Sequence, residues 1–146
     1  MWHRLIDTDS NAAAAILRLV LGIVFFPHGA QKMLGWWGGH GFSATMSGFA
    51  HGGIPALFAF LAIAAEFFGA IGLILGLLTR VAAFGIACVM AVAMFKVALP
   101  NGFFMNWAGQ QHGEGYEYHL LVLAMAAAIM ILGAGAFSVD RRLSRR

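Results

Sequence analysis

The chain has 146 residues, 61% of them hydrophobic and 10% charged, with a net charge of +3. Soluble domains carry about 25% charged residues, and so short a chain cannot enclose this much apolar surface in one aqueous core, so a water-soluble globule is excluded. Nucleic acid is excluded as a partner too: Arg141, Arg142, Arg145 and Arg146 supply four of the nine basic residues, and no basic stripe runs through the body.

A bilayer core of about 30 Å takes about 20 apolar residues at helical rise. Four segments meet this: residues 11–32, 55–78, 81–99 and 118–137. Their apolar runs are unbroken and rich in Ala, Leu and Met, so they predict helices rather than alternating strands. The expected fold is all-α: an integral membrane four-helix bundle in one transmembrane domain, 1–146. The first run follows Arg4, Asp7 and Asp9 and continues to span length, which reads as a retained helix rather than a cleaved signal.

The connection 33–54 begins Gly35-Trp36-Trp37-Gly38-Gly39, and tryptophans belong at headgroup level. Phe42, Met46 and Phe49 share a helical face, which predicts a short interfacial helix. Span two carries Gly69, Gly72 and Gly76, a small-residue pattern suited to close helix packing, within the bundle or between protomers of a homo-oligomer. Only Thr79 and Arg80 separate spans two and three, so a tight hairpin is expected there. Cys88, the single cysteine, is expected to be a buried structural thiol. It leaves the chain without a disulfide, a zinc site or a dithiol centre. The connection 100–117, with Phe103, Phe104 and Trp107, resembles the first in character, and short interfacial helices are expected in both. Gly133-Ala134-Gly135 marks where span four leaves the helix.

Lysine and arginine counts orient the bundle. Arg4, Arg80 and the terminal arginines share one side; Lys32 and Lys96 lie toward the other. The positive-inside rule places both termini in the cytoplasm and the two long connections outside.

Ionisable groups within spans mark function by default. They are Arg18, His28 and Lys32 in span one, Glu66 in span two, Lys96 in span three, and Glu117 and His119 in span four. Glu66 lies roughly 16 Å below the outer boundary at 1.5 Å per residue. A carboxylate at that depth takes up a proton unless a partner keeps it charged. Arg18 is long enough to be that partner, which gives either a register-fixing clamp or a working proton or ligand site. His28, Lys32, Lys96, Glu117 and His119 fall near one depth, and Pro27 frees a backbone carbonyl beside them. Together they suit a small polar or quinone-like head group, although Lys32 and Lys96 are better read as snorkelling to water. Haem between His28 and His119 is a weak reading without an attachment motif. No metal-ligand spacing, phosphate-binding loop or nucleophile elbow is present.

Several motifs resemble the DoxX family. They are Arg18-Leu19-Val20-Leu21-Gly22, His28-Gly29-Ala30-Gln31-Lys32, Glu66-Phe67-Phe68-Gly69-Ala70-Ile71-Gly72 with Gly76-Leu77-Leu78-Thr79-Arg80, and Gly115-Tyr116-Glu117-Tyr118 with Gly133 to Asp140. Ala136 departs from the pattern, standing where a larger residue is expected. The resemblance implies a four-span protein of the bacterial inner membrane, associated with redox. Some members resemble the membrane subunit of a thiosulfate:quinone oxidoreductase, and others join partners that handle thiols. It carries over Arg18, His28, Lys32, Glu66 and Glu117.

Three functions follow as expectations. The first is a redox-linked subunit that binds a quinone in the outer half, with electrons from a soluble or membrane partner. The second is a non-catalytic assembly subunit. The third is a small-molecule or proton transporter.

Overall fold

The computed structural model describes residues 5–145. Arg4 and Arg146, two of the residues that orient the bundle by charge, lie outside the described residues. All regular structure among the described residues is helical, with no strand.

Helix α1, Ala12–Leu34, starts where the Asn11 side chain accepts from Ala14 N at 3.1 Å. It runs unbroken through Pro27 and stops at Gly35, whose φ of +75° suits glycine. After a single turn at Trp36–Gly38 comes α2, Gly41–His51, the helix of the first long connection. Helix α3, Ala56–Leu75, begins after Pro55 and ends at Gly76, with φ +66°. There Leu77 N closes on Gly72 O at 2.8 Å, a left-handed stop that satisfies the last carbonyls. Helix α4, Thr79–Ala93, continues through a π turn, Met94–Ala98, and a 3-10 turn, Leu99–Asn101. Helix α5 is Glu117–Leu132, and α6 is the six-residue Val139–Ser144.

The four long helices close into a ring in which α1 packs on α3, α3 on α4, α4 on α5 and α5 on α1. All four contribute to one core: Leu21 and Phe25, Ala70 and Leu73, Ile86 and Met90, Val122 and Ile129. The outward faces are equally apolar, with Ile16, Phe58, Phe84 and Leu121 among the exposed side chains. Water would penalise such a surface; lipid does not.

Helices α1, α3 and the α4 continuation to Asn101 are long and apolar enough to cross a membrane. Helix α5 has 16 residues, or about 24 Å of rise. The helical part of segment 118–137 therefore stops at Leu132, and residues 133–138 continue as irregular backbone, buried except at Phe137. Irregular backbone is tolerated at membrane depth only where protein groups satisfy it. Here Gly135 N donates to Thr8 Oγ1 at 2.8 Å and Ala136 N to Asn11 O at 3.0 Å. The carbonyls of this segment go to Arg18, described below.

The second long connection is held by side chains rather than by an amphipathic helix. Beyond Leu99–Asn101 it is irregular. Glu117 accepts from Met105 N at 2.8 Å, Glu114 from Asn106 N at 2.7 Å, and Asn101 Nδ2 donates to Glu114 O at 3.1 Å. Glycines at 102 and 109, both at positive φ, turn the chain.

Close packing at glycine extends beyond span two to α1. A Cβ on Gly29 would lie 2.6 Å from Phe67 Cα and 2.7 Å from Glu66 O; one on Gly22 would lie 2.8 Å from Ile74 Cγ1. These two glycines, seven residues apart on one face of α1, set the α1–α3 contact. The glycines of span two pack within the bundle against other partners: Gly69 has ordinary clearance from Ile86, a Cβ on Gly72 would lie 3.5 Å from Ala82 Cβ, and one on Gly76 would lie 2.4 Å from Ser138 Cβ. Cys88 is exposed on the outer face of α4, not buried, because Ile86 and Met90 occupy the inward positions of that helix.

Candidate functional site

The seven candidate residues separate into two ends of the bundle. At the end that carries the chain termini, Arg18 is 1% exposed. Its Nε donates to Ala134 O at 2.8 Å. Nη1 donates to Leu73 O at 2.9 Å and Ile74 O at 2.8 Å. Nη2 donates to Ala136 O at 3.0 Å and Phe137 O at 2.9 Å. All five guanidinium N–H groups are thus used. Two of the acceptors are terminal carbonyls of α3, where a cation also favours the helix dipole. The other three belong to the irregular segment after α5. The Arg18–Glu66 pair expected from depth is therefore corrected: Arg18 lies toward the C-terminal end of α3, and Glu66 lies in its middle.

Two residues outside the functional candidates complete this end: Asp140, which the sequence reading did not single out, and Arg80, which it read only as a hairpin residue and orienting charge. Asp140, 1% exposed, accepts from Leu78 N at 2.8 Å and Thr79 N at 2.9 Å, capping α4 from 61 residues away. Arg80 donates to Met130 O at 2.9 Å and to Asp7 O, which closes the end of α5. Ser138, which caps α6 by accepting from Arg141 N at 3.3 Å, was the only local hint that a helix begins there and that Asp140 lies in its first turn.

At the loop end, Lys32 Nζ donates to Glu66 Oε2 in an ion pair. Gly29 sits at the level of Glu66, so Lys32, three residues further along α1, reaches back along the helix to the carboxylate. The close α1–α3 approach at Gly29 makes that reach short. Burial is asymmetric: the Glu66 side chain is 5% exposed and Lys32 33%. Lys32 is therefore not simply snorkelling to water; its stem runs along the bundle and its ammonium meets the buried acid. Tyr118 packs against the core from α5. Phe26 stacks on Phe67, the neighbour of Glu66 in α3, at 6.0 Å between ring centroids and meets Trp37 edge-on at 6.3 Å, which forms an aromatic wall between α1 and α3.

The remaining candidates do not join this pair. His28 is exposed and meets the edge of the Phe25 ring. Lys96 is exposed within the π turn. Glu117 holds the second connection through Met105. His119 is half-buried beside Tyr118, and its Nδ1 is buried with no hydrogen-bond partner. Among the described residues, no three His, Cys, Asp or Glu side chains converge to hold a metal ion.

A closed ring of apolar helices, lipid-facing on its outside and with one acid–base pair in its interior, defines a helical membrane protein. The DoxX family model matches residues 13–99, and the chain belongs to that family. An uncharacterized membrane protein of Mycobacterium tuberculosis is 32% identical over 99% of this chain and 90% of its own length. The Bacillus subtilis protein named "Putative oxidoreductase CatD" is 27% identical over 86% of this chain and 82% of its own. Inner membrane protein YqjF of Escherichia coli is 26% identical over 93% and 95%. No solved structure is a significant match.

Proposed function

We propose that this chain is a redox-linked subunit of the bacterial inner membrane that binds a quinone, or a similar small molecule, at the Lys32–Glu66 pair in the outer half of the bundle. The observation that carries the reading is the pair itself: a carboxylate buried ten residues into an apolar helix, with its cationic partner still one-third exposed. Purely structural pairs bring little net stability, since desolvation offsets most of the attraction. Ionisable groups at such depth are more often retained for ligand or proton work.

In this reading the Lys32 ammonium donates to a carbonyl oxygen of the quinone. Glu66 exchanges protons with the bound head group. Reduction of a quinone to a quinol takes two electrons and two protons. A partner protein supplies the electrons, because the single cysteine provides no dithiol centre. The name of the Bacillus subtilis relative supports a redox setting, and that of the Escherichia coli relative an inner-membrane one. The assembly-subunit alternative predicted a closed Arg18–Glu66 pair and an apolar face for a partner; the first of these is absent, since Arg18 is engaged elsewhere. A proton path through the bundle loses its second charged station for the same reason.

The test is to purify the protein in detergent, extract bound small molecules and identify them by mass spectrometry. The wild type is expected to retain a quinone, and a folded Glu66→Gln variant to have lost it. A wild type that retains no quinone, with Glu66→Gln merely less stable, would move the assignment to the assembly subunit.

A further inference from the structure

Independently of the Lys32–Glu66 pair, we infer that the opposite end of the bundle carries a built site for the phosphate group of an anionic phospholipid, formed by Phe137, Arg141, Arg142 and Arg145. These residues, with Ser138, line one cleft of about 240 Å³, large enough for a phosphate and part of its glycerol.

Three observations converge there. The first is Phe137. Its φ is +54°, a left-handed conformation that non-glycine residues avoid, yet its side chain is 94% exposed and gains nothing from the protein in return. Its backbone is fixed by Arg18, which holds the carbonyl at 2.9 Å. The fold thus holds an aromatic ring outward at the level where α3 ends and α1 begins. An aromatic ring there is favourable in the headgroup–acyl boundary and unfavourable in water.

The second is Arg141. Its Nε is buried and has no hydrogen-bond partner. The residue as a whole is only half-buried and lines the cleft, so its guanidinium can turn to an acceptor there, and a phosphate oxygen is the acceptor that arginine geometry suits best. The third is rigidity. The Asp140 carboxylate is engaged by Leu78 N and Thr79 N, and Asp140 N donates to Gly76 O at 2.9 Å. This pins α6 to the α3–α4 hairpin, so the three arginines are held against the membrane face rather than on a loose tail. The carboxylate nearest the cleft is thereby turned inward to backbone N–H groups.

The ligand is an anionic lipid such as phosphatidylglycerol in the leaflet at the termini end. Arginines near a bilayer surface attract such lipids, and Phe137 distinguishes a lipid from free phosphate because only a lipid brings acyl chains.

Native mass spectrometry of the full chain in a neutral detergent tests this, with phosphatidylglycerol, phosphatidylcholine and inorganic phosphate titrated separately. Wild type is expected to retain phosphatidylglycerol at least about tenfold better than phosphatidylcholine, an effect within reach of three interfacial arginines. Replacing Arg141, Arg142 and Arg145 by Gln should abolish the preference. Phe137→Gly relieves the backbone conformation, so it should raise or leave unchanged the melting temperature while weakening lipid retention. Equal retention of both lipids by the wild type, or a preference unchanged in the triple variant, would overturn the site. Inorganic phosphate bound as well as phosphatidylglycerol, with Phe137→Gly without effect, would overturn its assignment to lipid.

Discussion

An arginine buried among apolar helices must place five N–H donors, and Arg18 places all of them on backbone carbonyls that the helix ends and the irregular segment leave open. Arg18→Met would strand those carbonyls away from water. The expected loss is about 4 kcal/mol or more, at the large end of single-residue effects. Arg18→Lys offers three donors where five are used and should recover only part. Thermal unfolding in detergent micelles gives both values; a Met variant as stable as wild type would refute the role. The depth of Arg18 is legible in the sequence, since helical rise places it inside the span. Its partners are not, because three of them lie 116 to 119 residues away on non-helical backbone that no periodicity announces. Lys32 shows the converse. Its place near a helix end favours snorkelling, and only the close approach of α1 to α3 turns it toward Glu66.

At the scale of elements, the α1–α3 crossing positions the ion pair. The four apolar runs are readable because lipid requires helix wherever backbone would otherwise be unsatisfied. Which small residues sit at the crossing is not, because glycine is frequent on both helices and only three-dimensional facing separates Gly22 and Gly29 from Gly69 and Gly72. The clearances rank the two α1 positions. A Cβ at Gly29 meets the backbone of Phe67 and Glu66 at 2.6–2.7 Å, which cannot move without the helix; at Gly22 it meets the Ile74 side chain at 2.8 Å and backbone only at 3.0–3.1 Å. Gly29→Ala should therefore cost about 2–3 kcal/mol and Gly22→Ala about 1 kcal/mol. Gly29→Ala should also weaken quinone retention by moving Lys32 from Glu66. Paired melting curves and extraction assays check this, and equal effects at the two positions would contradict the packing. The second connection was less legible than the first, because its order comes from Glu114 and Glu117 folding back on Asn106 and Met105 rather than from an amphipathic pattern.

For the whole molecule, the antiparallel ring places both long connections at one end and the arginine-bonded segment, α6 and the chain termini at the other. The charge distribution predicts that the loop end faces outward. With Cys88 replaced by Ser, a cysteine at Ser47 or Ala108 should react with a membrane-impermeant maleimide in intact cells, and one at Ser144 only after permeabilisation; the reverse pattern would invert the bundle. Under the proposed quinone role, orientation sets which side an electron-donating partner must approach.

The most direct test of that pair is the titration of purified protein with a short-chain benzoquinone, followed by quenching of tryptophan fluorescence, since Trp37 lies beside Phe26 in the aromatic wall. Wild type would be compared with a Lys32→Met, Glu66→Leu double variant, which removes both charges together and so leaves no unpaired buried ion to unfold the bundle. The account predicts saturable quenching in the wild type, weakened at least about tenfold, or about 1.4 kcal/mol, in a double variant of unchanged melting temperature. Identical titrations of the two proteins, or no saturable quenching of the wild type, would contradict it.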